Sequence, residues 1–208
     1  MAILTNLIIF LVALYYFNNL KSIQSNYIKL TAKFVLFIGF ATCFSSIGHG
    51  MQLQMGEIFF RIILFISHVF NLVALYFCFK AAYTLKLNSK APNKFVLTGA
   101  IAVAFILIIL SVITRSFLII KIPAGIVLIY SLIAHYGGVR KNDKGSSLFV
   151  IGILIAFASI LVHSLRISMS EWFNHKDIAH VFISISLVFM CRVAKSSSSI
   201  QHLESVPA

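Results

Sequence analysis

Seven apolar runs, each close to twenty residues long, follow one another along the chain with short polar breaks between them. They cover roughly 2–19, 31–50, 57–81, 95–114, 117–137, 147–167 and 176–194. A helix needs roughly 20 mostly apolar residues to cross about 30 Å of hydrocarbon. The runs are continuous rather than alternating, which disfavours barrel strands. The pattern predicts an all-α membrane protein of seven transmembrane helices within residues 1–195. A short cytoplasmic tail without persistent structure follows over 196–208. The breaks carry turn chemistry: Asn88-Ser-Lys-Ala-Pro92 after the third run, Gly137-Gly138 and Lys141-Asn-Asp-Lys-Gly145 after the fifth. Arg115 and its neighbours split the fourth run from the fifth, and Pro123 lies near a helix start, where proline is tolerated. The first run lacks a basic leader and a small-residue cleavage site, so it reads as a retained helix rather than a signal peptide.

Composition agrees with this and adds an orientation. The 208 residues are 60% hydrophobic and 11% charged, with mean hydropathy +1.00; soluble domains are about a quarter charged. Twelve of the 17 Lys and Arg fall in the loops on one side, from Lys21, Lys29 and Lys33 to Arg192 and Lys195. Arg61, Arg115, Lys121, Arg166 and Lys176 fall on the other. The more basic side is cytoplasmic by the positive-inside rule, which places the N-terminus outside and the C-terminus inside, in what reads as a bacterial inner (plasma) membrane. Tyr15, Tyr16, Tyr27, Tyr83 and Tyr136 would form the inner aromatic belt, with Trp172 at the outer interface. The net charge of +12 is spread over these loops rather than gathered on one stripe, so nucleic acid is not a partner. Membrane lipids are. Cys43, Cys78 and Cys191 all lie in apolar runs with no close pair, and read as small buried hydrophobes.

Two hairpins echo one another. Runs two and three carry Phe44-Ser-Ser-Ile-Gly-His49, Met55-Gly-Glu57 and His68-Val-Phe70; runs six and seven carry Phe157-Ala-Ser-Ile-Leu-Val-His163, Met169-Ser-Glu171 and His180-Val-Phe182. The order suggests a 3+1+3 internal repeat, with run four as the linker that makes the two halves parallel.

The candidate chemistry lies at the outer ends of runs two, six and seven. Ionisable groups within membrane segments mark function by default. Ser45 and His49 share a helix face at i and i+4, and Ser159 and His163 repeat that spacing. Asp177, His180 and Ser184 stack on the face of run seven, with His175 just before. His163 and His180 lie equally far from their hairpin apex. Imidazoles with a carboxylate suit Zn²⁺, which lowers the pKa of a bound water to about 7. His49, His163, His180 and His175 are therefore the candidate metal ligands, with Asp177 as ligand or base and Ser45 as partner to water or oxyanion. Bland roles compete. Asn174 and Asp177 could simply cap run seven. Ser45, Ser46 and Ser159 could bond back to carbonyls one turn earlier. His68 and His135 read as interhelical hydrogen-bonding residues, Glu57 and Glu171 as wet loop or first-turn residues, and His202 as a solvated tail residue.

Ser45-Ser-Ile-Gly-His49 and His175-Lys-Asp-Ile-Ala-His180-Val-Phe182 resemble the SxxxH and paired-histidine motifs of the seven-span superfamily of alkaline ceramidases, adiponectin-type receptors and hemolysin III proteins. The resemblance covers about a tenth of the chain. It implies three zinc-holding histidines, an assisting serine and hydrolysis of a lipid amide. The chain departs from it in the spacing of His175 and His180, which are too far apart to stack as i and i+4. It departs also in run three, where the family's aspartate has no match other than Glu57. The run Asn174-His-Lys-Asp-Ile-Ala-His180 also looks like a motif of uncharacterised bacterial membrane proteins. Three functions follow as expectations: a metal-dependent hydrolase of lipid amides or esters near the outer leaflet; a haem-binding redox protein using the pairs His49/His68 and His163/His180; or a transporter or sensor of small solutes. Retinal is disfavoured, because run seven has no lysine at mid-depth.

Overall fold

The computed structural model describes residues 2–87, 92–114 and 118–196. The Asn88–Ala91 break, the Arg115 turn and the tail with His202 lie outside them. The described residues form helices and short connections, with no strand among them. We number the helices α1 (Ala2–Leu20), α2 (Asn26–Met51), α3 (Gly56–Lys86), α4 (Lys94–Thr114), α5 (Leu118–Arg140), α6 (Lys144–Leu165) and α7 (His175–Ser196). Of these, α1 to α6 each contain a stretch long and apolar enough to cross a membrane.

Local chemistry sets the boundaries. The Ser25 side chain accepts from the N–H of Ile28 and starts α2 five residues before the apolar run begins. Asp143 starts α6 in the same way, taking the N–H of Ser146 at 2.8 Å. Arg166 closes α6 in the left-handed conformation, φ 54. α2 and α3 are not separated by a loop. Helical backbone runs on from one to the other through Gly56, whose φ of 78 and ψ of 176 break the helix at one residue. Only glycine enters that region cheaply. The second hairpin turns differently, through the extended and bent residues 167–174 between α6 and α7, so the two echoing segments are joined in different ways.

α1 packs on α2 and α7, α6 packs on α7, and α5 lies against α3 and α6. Close approaches are made at glycines. A Cβ on Gly39 would stand 2.7 Å from the Cβ of Ala13 in α1. One on Gly152 would stand 2.7 Å from Met190 Cγ and 3.0 Å from the Ser186 carbonyl in α7. Four serines then staple helix to helix: Ser46 to Ile3 O, Ser67 to Ala41 O, Ser159 to Ala179 O and Ser186 to Gly152 O, at 2.7–3.0 Å. Small residues and hydroxyl-to-carbonyl bonds are how helices associate where lipid removes the hydrophobic drive. The back-bonding expected of Ser46 and Ser159 is thus replaced by bonds across helices, because both face a neighbouring helix. Thr31, Thr42, Thr84 and Ser131 do bond back within their own helix.

The outside of the bundle is a sheath of large apolar residues, among them Ile62, Phe95, Phe105, Ile126 and Leu154. α4 is the most peripheral helix: only 6% of its apolar stretch is buried, and it rests on Leu72, Leu75 and Ile120 through Leu107 and Ile108. Tyr15 and Tyr136 are exposed as an interfacial belt requires. Tyr27 is not. It is buried, and its hydroxyl lies 3.0 Å from His135 Nε2, because α2 begins early enough to carry it inside. His135 also reaches Ser146 at 3.4 Å and stacks on Phe149 at 4.2 Å, the interhelical role read for it.

Candidate functional site

The start of α7 is built as a reciprocal cap. The Asn174 side chain accepts from Lys176 N at 2.9 Å, and Asp177 Oδ2 accepts from Asn174 N at 3.2 Å. Capping therefore explains one oxygen of Asp177. The other faces α1: Thr5 Oγ1 donates to Oδ1 at 3.3 Å, and the same hydroxyl lies 3.0 Å from His180 Nδ1. Asp177 is wholly buried. One hydroxyl on α1 thus bridges the carboxylate and the imidazole of α7. Thr5 was not among the residues expected from sequence. An isolated Thr in a first apolar run gives no signal until the run across from it is known.

His180 lines a cavity of about 220 Å³ formed between α2, α3, α5, α6 and α7. Along α7 the wall runs from His180 past Ile183, Ser186 and Leu187 to Met190. That is about 15 Å at roughly 1.5 Å per residue, or half of a bilayer's hydrocarbon thickness. Phe34, Ile38, Leu75, Cys78, Leu128 and Ile160 make most of the wall apolar. The charged and imidazole groups, Lys121, His163 and His180, lie together at one end; Ser159 and Ser186, which also line the wall, spend their hydroxyls on the carbonyls of Ala179 and Gly152. Lys121 Nζ stands 3.0 Å from His163 Nδ1 and 3.4 Å from Ser164 Oγ. Lys121, which sequence reading counted only as a topology charge, is thus part of the site. Its signal was legible as the one basic residue set a turn inside the fifth apolar run, Leu118-Ile-Ile-Lys121-Ile-Pro123.

Beyond that end the wall opens into a vestibule of about 460 Å³, lined by Lys121, His163, Ser164, Arg166, His175 and Lys176. Cavity and vestibule meet at Lys121 and His163. The rings of His163 and His175 meet edge to face at 5.4 Å. His49 is half-buried against Phe60, 5.6 Å between rings, and lies with His163 in electrostatic range of His180. Ser45 is half-buried on α2 and lies off the cavity wall. His68 is buried in α3, and Glu57 is paired with Arg61 at 2.7 Å on the surface.

The expected residues therefore gather at one end of the bundle. Among the described residues no group of three or more His, Cys, Asp or Glu is placed to hold an ion. No curated protein and no solved structure matches the chain. Residues 1–199 match a family of unknown function, DUF6962, and the chain belongs to it.

Proposed function

We propose that this member of DUF6962 is a seven-span membrane protein, N-terminus out and C-terminus in, that binds an amphiphile. The hydrocarbon chain lies in the central cavity and the polar head sits among Lys121, His163 and His180. The observation that carries this is the cavity's polarity: its wall is mostly apolar along about 15 Å, with Lys121, His163 and His180 together at one end. A small polar solute would gain little from that wall, whereas each buried methylene contributes about 0.8 kcal/mol relative to water. The count of basic residues puts the ionisable end at the outer face, with the chain reaching to mid-bilayer. α7 completes the seven spans, since its first turn lies level with that of α1 through the Thr5 bonds.

The test is chain binding by the purified protein and by Ala156→Phe, which puts a ring into the apolar wall. Wild type should retain or take up a saturable alkyl ligand, and Ala156→Phe should bind it at least about tenfold more weakly, the worth of roughly two methylenes. Equal binding by both would show that the cavity does not hold the chain.

The place of His180 in the cavity wall, bridged through Thr5 to Asp177, favours hydrolysis as a second reading, with a lipid ester or amide as substrate. Its Nε2 would take a proton from water, the hydroxide would add to the carbonyl carbon, and the imidazolium would return the proton to the leaving oxygen or nitrogen. Asp177, acting through Thr5, would stabilise the imidazolium. Release of fatty acid from a lipid ester or amide by wild type, absent in His180→Gln, is the expected result. No release by either leaves binding alone.

A further inference from the structure

We infer that the basic vestibule is a recognition site for the phosphate of a phosphate-bearing amphiphile, which rests on the cavity reading above and specifies its head. Three cations, Lys121, Arg166 and Lys176, line one opening together with His163 and His175. None of the lining residues is acidic, in a chain with only five acidic residues. The carboxylate of Asp177, next to Lys176 in sequence, is wholly buried and bonded to Thr5 and Asn174 rather than to a cation of the opening. This much charge exceeds what one carboxylate needs and suits a phosphate monoester, which carries about −1.5 to −2 at neutral pH. Arg166 adds a planar fork matched to phosphate oxygens. It is held at the mouth by its left-handed cap on α6, and its neighbour across the vestibule, Lys176, lies in the first turn of α7. The vestibule shares Lys121 and His163 with the apolar cavity, so one molecule can place its phosphate in the first and its chain in the second.

The full chain is purified in digitonin, whose rigid steroid body does not imitate an alkyl chain. It is titrated with dodecyl phosphate, dodecanoate, dodecanol and inorganic phosphate. Bound ligand is counted by native mass spectrometry, and the emission of Trp172, exposed in the 167–174 connection, is followed as a second readout. Dodecyl phosphate should bind at least about tenfold more tightly than dodecanoate or dodecanol, the least that one charge-assisted hydrogen bond contributes. Inorganic phosphate should bind more weakly than dodecyl phosphate; equal binding would assign the vestibule to free phosphate and overturn a lipid head. Arg166→Asn with Lys176→Gln should bring dodecyl phosphate to the level of dodecanol and leave dodecanol unchanged. Asn is chosen because it tolerates the left-handed cap. If that pair does not fold, wild type supplies the test: the phosphate preference must shrink as salt rises, and a preference indifferent to salt refutes the inference. Dodecanol binding without a phosphate preference overturns the inference and leaves the cavity reading standing. Binding of none of the alkyl ligands overturns both.

Discussion

Thr5→Val removes one oxygen from the protein and separates Asp177 from His180. Valine keeps the shape and the β-branching of threonine, so α1 should be unaffected as a helix. What is lost is the donor to Asp177 Oδ1 at 3.3 Å and the partner of His180 Nδ1 at 3.0 Å. A hydrogen bond to a charged group contributes about 1.5–3 kcal/mol in soluble proteins, while polar contacts between membrane helices average about 0.6 and reach about 1.7 kcal/mol. Asp177 is wholly buried and keeps only the Asn174 N–H, which favours the upper part of the membrane range, about 1.5 kcal/mol. For a chain of this length that corresponds to roughly 3–6 °C in thermal midpoint. The assay is thermal unfolding in detergent of wild type, Thr5→Val and Thr5→Ser, with Asp177→Asn as a second background. Thr5→Ser should stay near wild type. Thr5→Val should cost less in the Asp177→Asn background, since the charged acceptor has gone. If Thr5→Val unfolds within about 0.5 kcal/mol of wild type, or costs the same in both backgrounds, the hydroxyl does not link the two residues.

Other expectations follow from single contacts. Gly152→Ala should lower the thermal midpoint by the equivalent of about 1–3 kcal/mol, because its Cβ meets Met190 Cγ at 2.7 Å and the Ser186 carbonyl at 3.0 Å. Gly125→Ala, with nothing within 4 Å, should be neutral or stabilising; equal losses at both positions would contradict the close approach. Gly56→Ala should cost about 1–2 kcal/mol from its positive φ alone, since the space around it is open, and an unchanged midpoint would show that the α2–α3 junction relaxes. Tyr27→Phe should cost about 1 kcal/mol by depriving buried His135 of its 3.0 Å partner, read in the same assay. Zinc added in tenfold excess should not raise the midpoint; a saturable rise abolished by His180→Gln would show that the imidazoles rearrange into a metal site.

The helices were legible because lipid demands long apolar runs whatever their packing. The boundaries that shifted did so for local polar reasons: Ser25 caps α2 early, and α3 continues to Lys86, past the last strongly apolar residues. The Gly56 junction could not be read, since a run containing Gln52, Gln54, Gly56 and Glu57 looks like any polar loop. The candidate site was legible in part. His163, Asp177 and His180, which the structure brings to one end of the bundle, stand out in sequence because charge inside an apolar run is costly and therefore conspicuous. Thr5 was invisible because a hydroxyl costs little anywhere in a helix that can bond it back. Lys121, Arg166 and Lys176 were visible but absorbed into the topology count, which treats every cation on a given side alike. Only packing shows which of them share a cavity.

Two buried histidines make the distinction clear. His135 meets Tyr27 at one nitrogen and Ser146 at the other, and its face is covered by Phe149. Every polar atom of that ring is used, so it can tie α2, α5 and α6 together but has nothing to offer a ligand. His180 is held equally firmly, but from one side only. Thr5 takes Nδ1, and the ring forms part of the wall of a cavity that opens toward three cations. The difference in surroundings, rather than the presence of histidine in a membrane helix, is what the proposed function rests on.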